Sequence, residues 1–125
     1  MYESYKDEVQ FFLIYTREAH PDHPVLVEKD GHRWMKTLDS GTTFDDRCEN
    51  ADVCTSSLHL KVPVLVDRAS NDVSTAYQAW PLRVVIVGAD GNLAYCGNMH
   101  PQQFQLDDVR NWLQKRAKAN PITHL

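Results

Sequence analysis

Hydrophobic positions along this chain switch between the two-residue period of strands and the longer period of helices. Residues 9–16 read Val-Gln-Phe-Phe-Leu-Ile-Tyr-Thr. They are β-branched and aromatic with almost no alternation, the pattern of a strand covered on both faces. Pro21 and Pro24 end it. In the mixed stretch 21–42, Asp30-Gly31 falls between Val25-Leu26-Val27 and Trp34-Met35, which predicts a hairpin. From residue 43 to 58 the spacing becomes helical, with Phe44, Cys48, Ala51, Thr55 and Leu58 on one face. Thr43 with Asp46 fits its N-terminal cap, and Asp45 sits in its first turn.

Residues 62–67 form a short buried strand in this reading, and Ser70 caps a brief helix carrying Val73, Ala76 and Tyr77 that Pro81 breaks. Residues 82–87 make the next strand. Asp90-Gly91 turns the chain, and residues 93–96 return antiparallel. Residues 106–118 close the order with an amphipathic helix whose stripe is Leu106, Val109, Leu113 and Ala117. Asp107 and Asp108 near its start, and Lys115, Arg116 and Lys118 near its end, match the helix dipole. Pro121 stops it. The order β, α, β, α, β, β, α fits a mixed α/β sheet flanked by helices. No internal repeat or linker interrupts it, so residues 1–125 read as a single domain.

Charge narrows the partners. The net charge is −4 over 125 residues with no basic run, which argues against nucleic acid or an anionic membrane as a ligand. The longest apolar runs, residues 11–15 and 84–87, are too short to span a bilayer. Residues 1–10 carry no apolar signal core, and the expected location is the cytoplasm. Three cysteines, Cys48, Cys54 and Cys96, leave at least one unpaired and do not fit a disulfide scaffold. Cys48 and Cys54 share one helix about 9 Å apart along its axis, too far for a bridge within it. Packing is the default role for both, and Cys96 beside Gly97 reads as a thiol at a strand end.

The other candidate clusters have plain readings. His20, His23 and His32, with Asp22 and Asp30 nearby, are loop groups beside prolines rather than a metal set, so no metal is expected. Trp34, Trp80 and Trp112 read as core or partly buried residues before they read as an aromatic ligand pocket.

Four strings sharpen the picture: Phe-Phe-Leu-Ile-Tyr-Thr-Arg-Glu-Ala-His-Pro over residues 11–21, Val-Pro-Val-Leu-Val-Asp over 62–67, Ala-Tyr-Gln-Ala-Trp-Pro-Leu-Arg-Val-Val-Ile-Val over 76–87, and Asp-Gly-Asn-Leu-Ala-Tyr-Cys-Gly over 90–97. Together they resemble the iodothyronine deiodinase family across nearly the whole chain. The first and third strings are fairly specific, and the last is shared by many redoxins. The resemblance implies a thioredoxin-like fold and reductive removal of iodine from aromatic rings, with a thiol as electron donor and no resident cofactor. It also implies a catalytic selenocysteine or cysteine after a first strand. Residues 1–6 match the end of the first helix, so that strand and most of that helix have no counterpart here. No cysteine precedes Cys48, and there is no Cys-x-x-Cys.

By position the resemblance makes Glu18 and His20 catalytic, as a proton donor or relay. A histidine titrates near neutrality and a carboxylate can orient it. It makes Arg83 substrate-binding, since a guanidinium suits a carboxylate or phenolate. The bland alternative leaves all three as solvated loop and strand-end groups. Two classes stand: a deiodinase-like oxidoreductase acting on a small aromatic or halogenated substrate, and a non-catalytic binding or structural domain of the same fold. The absent strand would lie between segments 9–16 and 82–87. The expectation is that these two close up, or that a second chain, as in a homodimer, covers the gap.

Overall fold

The computed structural model describes residues 1–18, 24–37, 43–98 and 106–119, apart from the side chains of Lys29, Lys118 and Ala119. A four-residue helix α1 (Tyr2–Tyr5) leads into strand β1 (Leu13–Tyr15). Strands β2 (Pro24–Lys29) and β3 (His32–Thr37) follow, then helix α2 (Phe44–Leu58), strand β4 (Val64–Val66) and the short helix α3 (Asp72–Ala76). Strands β5 (Val85–Val87) and β6 (Leu93–Cys96) precede helix α4 (Leu106–Ala119). This is a mixed α/β architecture of small sheets flanked by helices, compatible with a thioredoxin-like fold.

Three two-stranded sheets account for the described pairing. β1 runs parallel to β4, with Leu13, Ile14 and Tyr15 opposite Val64, Leu65 and Val66. Two flanking bonds extend the ladder: the Leu13 amide donates to the Pro63 carbonyl at 3.0 Å, and the Asp67 amide to the Tyr15 carbonyl at 2.8 Å. β2 and β3 form the expected hairpin around Asp30-Gly31, whose φ values of 52° and 80° are the left-handed pair that such a two-residue turn needs. β5 pairs antiparallel with β6, and the Gly97 amide continues the hairpin to the Val84 carbonyl at 2.9 Å.

The caps explain the helix boundaries. Thr43 accepts the Asp46 amide on its Oγ1 at 3.1 Å, as its spacing predicts. α2 ends where His59 turns left-handed, at φ 50°, and the Leu60 amide reaches back to the Thr55 carbonyl at 3.2 Å. In α3 the cap position falls on Asn71 rather than Ser70, and the Ser70 hydroxyl donates to Asp72 Oδ1 at 2.8 Å.

Two expectations change. The buried residues of α2 are Arg47, Asn50 and Ala51, while Phe44 and Leu58 at the ends of the expected stripe are exposed. The reason lies below the helix. α2 packs on β2 and β4, and the Arg47 guanidinium reaches under it to the carbonyls of Arg68, at 2.7 Å, and Asp67, at 3.4 Å. Hydrogen bonding to backbone therefore turns a charged side of the helix inward. The second change concerns the expected closure of segments 9–16 and 82–87. Among the described residues β1 bonds to β4 alone and β5 to β6 alone. Both strands are also shorter than their apolar runs, at three residues each. Leu13 and Ile14 of β1 stay 40% and 37% exposed and Val87 of β5 51% exposed, as apolar strands with an open side must.

The apolar core is accordingly small. Val27 from the hairpin and Ala51 from α2 are buried in one place, and Val109 and Leu113 from the α4 stripe in another. α4 is tied at two further points. Tyr95 of β6 donates to Asp108 Oδ2 at 3.3 Å, and Arg116 pairs with Glu8 at 3.8 Å.

Candidate functional site

Glu18 stands three residues beyond Tyr15, just past the C-terminal end of β1. Because β1 is in register with β4, its last residue is held at a fixed height by the Asp67 amide. From there the half-buried Tyr15 ring puts its hydroxyl on Glu18 Oε2 at 2.5 Å, a charge-assisted bond at the short end of the range. The phenol also shares a side-chain hydrogen bond with Cys54, which projects from the last turns of α2. Burial first, then the bond to Glu18, push the Tyr15 phenol far above its ordinary range. Burial likewise pushes the Cys54 thiol up, with the Glu18 charge adding to it and the Tyr15 bond opposing it. Cys54 is thus a protonated thiol near pH 7 rather than a ready nucleophile. A phenol has one proton to give, and here it is given to Glu18.

Asp67 anchors the floor under this edge. It follows β4 directly, is 1% exposed, and accepts the Val73 amide at 3.0 Å and the Ser74 amide at 2.9 Å on its two oxygens. Burial pushes its carboxyl up. The bonds from the Ser74, Val73 and Arg68 amides and the Ser74 side chain outweigh that and hold it below the ordinary range. Its role is to cap α3, which carries the chain toward Tyr77 and Arg83.

Arg83 is half-buried two residues before β5. Its Nη1 donates to the Tyr77 carbonyl at 3.1 Å, and its Nε is buried with no hydrogen-bond partner among the described residues. One contact brings the two edges together. The Trp80 indole donates to the Arg17 carbonyl at 3.1 Å, and the Arg17 guanidinium lies over the Trp80 ring, 4.2 Å from its centroid. Glu18 is the next residue after Arg17, and Arg83 is three after Trp80, so the end of β1 and the approach to β5 share one edge. His20, the other expected catalytic residue, lies outside the described residues, as does His23.

Sequence reasoning missed Tyr15, Cys54 and Arg17 as members of this edge, and weighed Trp80 as an aromatic pocket residue only after a core or partly buried role. Tyr15 had a local signal, since it ends an apolar strand three residues before a carboxylate. Cys54 was read as packing, and its half-buried position agrees with that. The Arg17–Trp80 contact spans 63 residues and has no signature in spacing.

The arrangement orients a carboxylate, keeps a phenol proton on it, and sets a guanidinium against an indole at the same edge. Among the described residues there is no group of three or more side chains that could hold a metal, and no helix long and apolar enough to cross a membrane.

Comparison with known proteins supplies the family. The profile described as iodothyronine deiodinase matches residues 1–117. The chain is 32% identical over 130 aligned positions to type II iodothyronine deiodinase of Rattus norvegicus, which covers 96% of this chain and 45% of the rat protein. It is 32% identical over 123 positions to the Homo sapiens type II enzyme, covering 90% of this chain and 41% of that protein. It is 29% identical over 116 positions to thyroxine 5-deiodinase of Bos taurus, covering 89% of this chain and 35% of that protein. The chain spans less than half the length of each of these three relatives. With a family match over nearly its whole length, the chain belongs to the iodothyronine deiodinase family.

Proposed function

We propose that this chain is the substrate-facing part of a deiodinase-like oxidoreductase that removes halogen from a small aromatic ring. In that reaction the aryl carbon–iodine bond breaks and a carbon–hydrogen bond forms. Iodine leaves as iodide, and two thiols of an external donor supply the electrons and are oxidised to a disulfide. Glu18 handles the proton, with Tyr15 fixing its carboxylate, and His20 is its partner in that role. Arg83 holds the anionic substituent of the ring. The observation that carries the reading is the Tyr15–Glu18 bond at an edge clasped to the Arg83 segment through Arg17 and Trp80.

The nucleophile in this reading is a selenocysteine or cysteine on a strand outside these 125 residues. Cys54 is held protonated and Cys48 is half-buried in the same helix. Cys96 is exposed at the far end of β6. A non-catalytic binding domain is the competing reading, and the DNA ahead of the Met1 codon separates the two. A frame that continues into an apolar strand followed by a TGA or cysteine codon supports the enzyme, and an in-frame stop without such a stretch sinks it. For the isolated chain, iodide release from an iodinated phenol with dithiothreitol should not exceed background. Release that disappears when Cys48, Cys54 and Cys96 are all serine would place the nucleophile inside the chain and overturn this assignment.

A further inference from the structure

We infer that Arg17 and Trp80 form a ligand platform beside Arg83 that selects aromatic rings in their anionic form. The inference rests on reading this edge as substrate-facing, and it adds what that reading lacks: residues that set the charge state of the substrate.

The indole is held at two points by one residue. Its N–H is spent on the Arg17 carbonyl at 3.1 Å, and its ring lies under the Arg17 guanidinium at 4.2 Å. An indole whose only donor is already satisfied offers its surroundings an apolar surface and nothing polar. Trp80 keeps 39% of its surface exposed in this arrangement, and its neighbours Tyr77 and Leu82 keep 39% and 37%. That much exposed aromatic and aliphatic surface is what a flat apolar ligand would cover.

The guanidinium adds direction. Stacked on the indole by one face, it presents its other face to a second ring and its N–H edge to an anion. A neutral ring would gain the stacking but leave the donors facing an ether or a hydrogen. A phenolate or carboxylate would gain both. Arg83 supplies another cation on the same segment, with a buried Nε that no described group satisfies. Glu18, the described carboxylate next to Arg17 in the chain, is already engaged by the Tyr15 hydroxyl. Arg17 and Arg83 on this edge favour an anionic ligand over a neutral one. An ion paired with a partly desolvated guanidinium gains more than a neutral hydrogen bond does, and the difference is read as affinity.

Isothermal titration calorimetry on the 125-residue chain at pH 8.5 tests this with two probes of nearly equal shape. One is 2,6-diiodophenol, ionised at that pH because its iodines acidify the phenol, and the other is 2,6-diiodoanisole, which cannot ionise. The phenolate is expected to bind about tenfold or more tighter than the ether. Arg17→Met should remove most of that preference, and Arg17→Lys, which keeps the charge but loses the plane, should restore only part of it. Trp80→Ala should weaken both probes. Arg17 is exposed, and circular dichroism of each variant confirms the fold before titration. If the Arg17→Met chain keeps the full preference while Arg83→Met loses binding, the platform is wrong and the substrate-facing reading survives. If neither probe binds the unaltered chain, both fall.

Discussion

Replacing Asp67 by Asn tests how the floor of the site is held. The two carboxylate oxygens accept the Val73 and Ser74 amides at 3.0 and 2.9 Å, the Arg68 amide and the Ser74 side chain also bond the carboxylate, and the side chain is almost wholly buried. An asparagine has the same shape but only one acceptor, so its NH2 would face an amide donor. One charge-assisted bond is lost and one buried N–H is left without a partner. Either effect alone costs about 1–3 kcal/mol, and because they overlap the expected total is about 3 kcal/mol. With a urea dependence of about 1.5–2 kcal/mol per molar, the unfolding midpoint should fall by roughly 1.5–2 M. Far-UV circular dichroism in urea reads it. The pH dependence gives a second check. A carboxyl held below its ordinary value contributes stability above its unfolded pKa, near 4, and loses it as pH falls through the folded value. The gap between the two proteins should therefore be full at pH 7 and shrink below about pH 4. A midpoint shift under about 0.5 M at pH 7, or a gap that stays constant down to pH 2.5, would refute the assignment.

Other outcomes follow from single contacts. Tyr15 should ionise late in an absorbance titration at 295 nm, because burial and Glu18 both raise its phenol, and Tyr15→Phe should remove that late step. Since a raised folded pKa stabilises below the unfolded value, near 10, and is lost above it, Tyr15→Phe should also flatten the alkaline fall in stability. Thr43→Ala should cost about 1 kcal/mol in thermal or urea unfolding, through the lost bond to the Asp46 amide. Maleimide labelling read by mass spectrometry at pH 7 should modify exposed Cys96 well before Cys54, whose thiol is half-buried and held protonated. Equal rates would remove the case for Cys54 as part of the Tyr15–Glu18 chain.

What was legible in the sequence is what short-range chemistry dictates. The Asp30-Gly31 hairpin, the Thr43 cap, residues 93–96 as a returning strand and the last helix all stand, because each depends on residues a few positions apart. The buried side of α2 was not legible. Periodicity points to Phe44, Cys48 and Leu58, but the carbonyls of Asp67 and Arg68, some twenty residues on, draw Arg47 inward instead. Strand lengths failed for a related reason. Segments 9–16 and 82–87 are apolar enough for longer strands, but a strand extends only as far as a partner satisfies its backbone, and among the described residues each has a partner on one side alone. Among the candidate site residues, Glu18 and Arg83 come from family resemblance, while Tyr15, which fixes Glu18 in place, carries only the weak signal of ending an apolar strand three residues before a carboxylate.

The site has two halves that differ in how firmly they are built. Glu18 is oriented from its own strand by Tyr15, and Tyr15 by the β1–β4 register. Arg83 is oriented from its own segment by the Tyr77 carbonyl, behind a helix that Asp67 caps. What joins them is an indole hydrogen bond and an exposed cation–π stack, together about 1.5–2 kcal/mol. No backbone ladder runs between β1 and β5 among the described residues, so this clasp is a side-chain link between the two segments. A strand between them would fix their spacing by main-chain bonds, and a ligand held by Arg17 and Arg83 would fix it by side chains. Either would add its binding energy to a junction of only that size, so in the proposed function the Glu18–Arg83 spacing should respond to whatever binds between the two segments.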